Sequence, residues 1–154
     1  MRKTLLVLAT LFACSGAVAA DNPPGTITVE QALNISAGLR ALDTYQTRDK
    51  EGKPFASPYN FSGVTRMNIA TNIDRVGIVL KTYQASLNEV IKTMSGGTGT
   101  VPGDKMADYN VEVLKMLAAP AGVSLAKIKE ADLKLDENPI PGSVLGLLLP
   151  IIDR

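Results

Sequence analysis

Residues 94–106 read MSGGTGTVPGDKM, and a loop this rich in glycine first suggests a phosphate cradle. A Walker-type loop needs Gly, four residues and then Gly-Lys-Ser/Thr, so that backbone N–H groups hold the anion while the lysine reaches it. Here Gly103 is followed by Asp104, whose carboxylate would repel phosphate where the lysine should stand, and the residue five before Gly103 is Thr98. A connection between helices accounts for the same residues better. Gly96 or Gly97 is expected to stop a helix in the left-handed conformation, and Asp104 to cap the next helix, which starts at Lys105.

Two further groups could do chemistry. Ser124-Leu125-Ala126-Lys127 matches the S-x-x-K of penicillin-interacting enzymes, but the companion S-D-N and K-T-G motifs are absent from the chain. Asp132, Asp136, Glu137 and Asn138 form the densest acidic cluster. Calcium favours such oxygens, yet an EF-hand wants glycine where Glu137 stands and a ligand where Lys134 stands. Paired carboxylates also serve glycoside hydrolysis, but nothing in the pattern fixes a second wall for a cleft. A solvated turn is the reading this cluster supports.

The chain has no histidine, and Cys14 is its single cysteine. It therefore lacks the groups for a His/Cys zinc site, a Cys-His pair or a Ser-His-Asp triad. No catalytic, metal-ligating or cofactor-binding residue is assigned, and the chain reads as non-enzymatic. Its charges are interspersed around a formal net charge of +1, without the basic run that nucleic acid demands. The expected partner is another protein or a second copy.

Candidate contact residues come from three places. Phe55, Tyr59 and Phe61 alternate with small or polar residues and either cap the core or line a binding loop. Leu80, Tyr83 and Leu87 lie on a long apolar seam, as core or interface anchors. Leu147 and Leu148 belong to Val144–Ile152, which is almost wholly apolar, too short for the ~20 residues of a spanning helix and too apolar to sit in water. Docking onto the rest of the fold is the simplest fate for that segment. A carrier of an apolar small molecule would instead use Tyr83, Met94, Met106 and Tyr109.

These side chains are positioned by a predicted all-α fold, a small helical bundle around one long helix. Thr28 and Gln31 have capping-box spacing, and Ala32, Ile35, Leu39 and Leu42 form one stripe, so a helix is expected over about 29–44. Gly38 within it either weakens the helical pattern or marks close packing. Residues 45–62 break helical periodicity, with a turn at Asp49–Gly52 and prolines at 54 and 58, and predict an irregular loop or short hairpin. Ile69, Ile73, Val76, Leu80, Tyr83, Leu87, Val90 and Met94 then repeat at alternating spacings of 4 and 3, a heptad seam on a helix over about 64–95. Gly77 beside the seam would admit a close partner helix, while Asn72 and Arg75 supply the polar side. Met106, Tyr109, Val113 and Met116 predict a third helix over about 105–118, ended by Pro120 and Gly122. In the tail, Ser124–Lys129 could form a helical turn and Leu133 with Leu135 an extended segment. Ser143 would cap a short helix running to Leu149.

At the N-terminus, Arg2 and Lys3 precede the apolar run Leu5–Ala13 and the small residues Ala17-Val18-Ala19-Ala20. That order is a secretory signal peptide over 1–20. Its removal leaves a single helical domain over 21–154, with a short exposed leader at 21–27, a net charge of −1 and no cysteine. Export to the periplasm or medium is the expectation. Leu11-Phe12-Ala13-Cys14 also resembles a bacterial lipoprotein box, which would instead anchor the chain through a lipid on Cys14.

The segments LRALD (39–43), YNVEVLKML (109–117) and ADLKLDENPIPGSVLGLLLPII (131–152) resemble small uncharacterised α-helical proteins of bacteriophage and prophage origin. Those proteins pair a central helix with an end of the form D-L-x-L-x-x-N-x-I-P followed by leucines. The resemblance implies a small helical fold and transfers no site residue, and the signal peptide sets this chain apart. Together these readings point to an exported, non-enzymatic interaction or structural protein.

Overall fold

The computed structural model describes residues 26–154. The expected signal peptide, the Cys14 box and most of the expected leader lie outside them. Among the described residues the fold is mostly helical, four α-helices accompanied by two small sheets of two strands each. The first sheet is the short hairpin expected within 45–62, and the all-α class is corrected by the second.

Helix α1, Val29–Ala41, starts at a full capping box. The Thr28 hydroxyl accepts the Gln31 N–H at 3.2 Å, and the Gln31 side chain accepts the Thr28 N–H at 2.9 Å. Two otherwise orphaned donors of the first turn are thereby satisfied. The helix stops short of residue 44 because Thr44 and Tyr45, good strand formers, leave it to begin a hairpin. Strand β1, Thr44–Arg48, pairs antiparallel with β2, Pro54–Pro58. The turn is built on Asp49, whose carbonyl accepts the Gly52 N–H and whose carboxylate accepts those of Glu51 and Lys53. With only two strands, both are edges, so Pro54 and Pro58 are tolerated.

Helix α2 runs Gly63–Met94, with the Ser62 hydroxyl accepting the Thr65 N–H. At 1.5 Å per residue it is about 48 Å long. Its buried line is Thr65, Ile69, Asn72, Val76 and Val79, with Asn72 and Val76 innermost and Ile73 and Leu80 half-buried beside them. No residue from Leu80 to Met94 is fully buried. Around Gly77 nothing lies within 4 Å of where a Cβ would stand, so the expected close helix is not there.

A 3-10 turn, Gly103–Lys105, leads into α3, Met106–Ala118. Asp104 does not cap it: Lys105 holds the N-cap position without a side-chain bond. The Asp104 carboxylate sits in the 3-10 turn just ahead of α3, near the positive end of the helix dipole. Past α3 the chain is pinned beside the start of α1, the Val29 N–H donating to Ala119 and the Ala121 N–H to Ile27.

The tail differs most from expectation. Residues 122–127 carry no regular secondary structure and lead into strand β3, Ile128–Lys129, rather than forming a helical turn. Glu130–Leu133 is a 3-10 turn, not an extended segment. Helix α4, Gly142–Leu148, begins after Pro141 with no side-chain cap, so Ser143 lies inside its first turn. Strand β4, Ile152–Asp153, then pairs parallel with β3. Nothing local predicts that pairing, because its two strands are joined only through the turn and α4. The tail is folded by long-range polar clasps instead. The Asn72 amide donates to Ala126 C=O and accepts Ala126 N–H, both at 2.8 Å. Arg75 donates to Ser124 C=O at 2.7 Å. Asn138 accepts the Asn60 N–H and donates to Leu133 C=O, each at 2.7 Å. The core thus lies where α1 is sandwiched by the first half of α2 and by α4, with Ile35, Leu39, Val76, Leu133 and Leu148 wholly enclosed.

Candidate interaction surface

The first half of the glycine-rich loop, residues 95–99, has spent its backbone donors. Gly96 N–H reaches Thr93 C=O and Gly97 N–H reaches Lys92 C=O, with both glycines at positive φ. This is the paired 5→2 and 6→1 pattern that closes a helix. Thr98 N–H donates to Ser95 C=O, and Gly99 N–H to the Ser95 hydroxyl. Lys105 Nζ turns back to Met94 C=O at 3.2 Å. An incoming phosphate would have to displace all of these, so the loop is a helix stop and a return.

The S-x-x-K residues are not assembled for acylation. They lie outside any helix, on a segment without regular secondary structure, and Lys127 Nζ is bonded to Pro150 C=O at 2.8 Å. Asp132, Asp136 and Glu137 are exposed, whereas Asn138 is buried as a structural clasp. No group of three or more potential metal-binding side chains converges among the described residues.

The expected contact residues are not brought together. Tyr59, only 3% exposed, and Phe61 are core, their rings stacked 5.6 Å apart, and Tyr45 packs against Tyr59 at a tilt, 4.9 Å away. Burial, and secondarily Tyr45, raises the Tyr59 phenol above its ordinary pKa of 10.0. Phe55 is 46% exposed on the hairpin. Leu148 is wholly enclosed and Leu147 half-buried, both touching the space over Gly38, where a Cβ would come within 2.8 Å of Leu148. Leu80, Tyr83 and Leu87 are half-buried along the distal half of α2. Tyr109 and Met94 share that half-buried state, and Met106 is exposed.

Two surfaces went unread at the sequence level. One is a groove of about 360 Å³ between the end of α1 and the start of α2, floored by Leu39, Leu42, Phe61 and Ile69 and edged by Arg40, Asp43 and Arg66. Arg66 is fixed there by donating to the carbonyls of Tyr59 and Phe61. The other is the outer side of α3. Val111 is 49% and Leu114 64% exposed, and Ala107 and Ala118 are exposed in line with them. The signal was present as a second stripe at spacings of 4, 3 and 4, hidden behind the inward stripe of Tyr109, Val113 and Met116. Comparison with protein-family models, with curated proteins and with solved structures finds no match for this chain.

Proposed function

We propose that this is an exported, non-enzymatic protein of the bacterial envelope or its surroundings that acts by presenting a helical arm to a protein partner. The arm is the distal half of α2 with α3. The observation that carries the reading is the double-sided character of α3. One apolar face turns toward α2, and a second one, centred on Val111 and Leu114, is left in water. A helix hydrophobic on both sides is suited to burial on both, and the described residues cover only one. On this reading the α2 seam from Leu80 to Met94 is filled within the chain by α3, and the partner takes the outer face. The test is recovery of a partner or of self-association with the mature protein, and its loss with Leu114→Glu. A chain that stays monomeric and captures nothing ends the proposal. Export is checked by the mass of the mature N-terminus, which distinguishes cleavage near Ala20 from a lipid on Cys14.

A second reading, a carrier of an apolar small molecule, is favoured by the groove between α1 and α2. It would use Leu39, Phe61 and Ile69 rather than the tyrosines and methionines of the arm. Native mass spectrometry of the purified protein decides it: a co-purified apolar ligand supports the carrier, and bare protein removes it.

A further inference from the structure

The outer face of α3 also indicates what covers it. At 100° per residue, Ala107, Val111, Leu114 and Ala118 fall within about 60° of one another. They take the positions of a heptad seam, with Leu114 the most exposed near its centre. Along one edge of that seam lie Asp108 and Lys115, both exposed. The other edge carries Asn110 and Leu117. In a parallel pair of such helices the two edges face each other, and neither charge finds a partner. In an antiparallel pair each edge meets its own copy, so Asp108 faces Lys115 and Lys115 faces Asp108. That reciprocity is the requirement of a closed two-fold interface.

We propose, resting on the interaction reading above, that the partner of this face is a second copy of the chain. The two α3 helices pack antiparallel, with Val111 against Leu114 and Asp108 against Lys115, each in both directions. Lys115 Nζ already bonds Glu112 Oε1 at 2.8 Å, but an exposed pair of this kind is worth little and leaves the lysine free to turn outward. One face of a 13-residue helix is less than the ~1,200 Å² of a standard stable interface. The association is therefore weak and concentration-dependent, and its ionic part falls with salt.

Sedimentation equilibrium of the mature chain over a wide concentration range tests this, with circular dichroism to show that each variant is folded. The expected result is a monomer–dimer equilibrium that Leu114→Glu abolishes. Asp108→Lys and Lys115→Asp should each weaken it about tenfold, and the double exchange should restore most of the loss. Restoration is the arm that a general loss of packing cannot imitate. A wild-type chain that is monomeric at every concentration overturns the proposal. So does a dimer indifferent to Leu114→Glu, or a double exchange no better than the singles. A monomer that still captures another protein through Leu114 overturns the dimer while leaving the interaction reading standing.

Discussion

At the scale of single residues, Asn72 is the most consequential side chain in the described fold. It is wholly buried in the middle of α2 and holds both backbone groups of Ala126, as a neighbouring strand would. Asn72→Ala leaves a donor and an acceptor unpaired near the core, each costing about 1–3 kcal/mol. Chemical denaturation should show a loss of about 2–4 kcal/mol, and a near-neutral result would mean that water replaces the clasp. Two glycines offer an opposed pair. Gly38 lies under Leu148 and Leu147, with no room for a Cβ, so Gly38→Val should cost about 2 kcal/mol by displacing α4. Gly77 has open space around it, and Gly77→Ala should stabilise by up to ~1 kcal/mol through helix propensity. Thermal melts of the two variants should move in opposite directions. Equal shifts would deny the packing difference between them.

At the scale of elements, the protein divides by how well its helices are covered. α1 is enclosed by α2 and α4, and its residues Ala32, Ile35 and Leu39 see no solvent. α3 has no fully buried residue at all, and the β1–β2 hairpin is largely exposed apart from Tyr45, Thr47 and Ser57. Isolated two-stranded hairpins are marginal in water, and local opening follows the density of buried contacts. Amide exchange should therefore rank as hairpin fastest, α3 next, and α1 with residues 69–79 of α2 slowest. If α3 exchanges as slowly as α1 at low protein concentration, it is held by contacts beyond those described. Slowing of α3 exchange at high concentration is what covering of its outer face would produce. The helical elements were legible in the sequence because capping, turn and periodicity signals act within a few residues: Thr28 with Gln31, Ser62 before α2, and Gly96–Gly97 after it. Asp104 was misread because it had the right type one residue too early, inside a 3-10 segment that no periodicity announces.

At the scale of the whole molecule, the tail closes the fold. Leu133, Leu148 and Ile151 are enclosed, and β4 pairs with β3. Ending the chain at Pro141 would uncover Gly38, Leu39 and their neighbours on α1. The expected outcome is loss of cooperative thermal unfolding and exposure of apolar surface to a dye such as ANS. A truncated chain that melts sharply would show that α4 is an attachment and not a wall of the core. The apolar run at 144–152 made docking legible, but not its place. Composition says that such a segment must be covered, whereas the covering surface is chosen by the close approach at Gly38 and by clasps between residues far apart, such as Asn60 with Asn138.

The sequence by itself determined the absence of histidine chemistry, the mostly helical character, the ends of the principal helices and the hairpin turn. All of these follow from composition or from interactions spanning a few residues. The tertiary structure decided which line of α2 is innermost, that Asn72 belongs to the core, that β3 and β4 meet in parallel, and that α3 keeps one apolar face in solvent. These depend on which surfaces remain free once every other element has packed, and a periodic pattern gives the direction of a face without naming what lies against it.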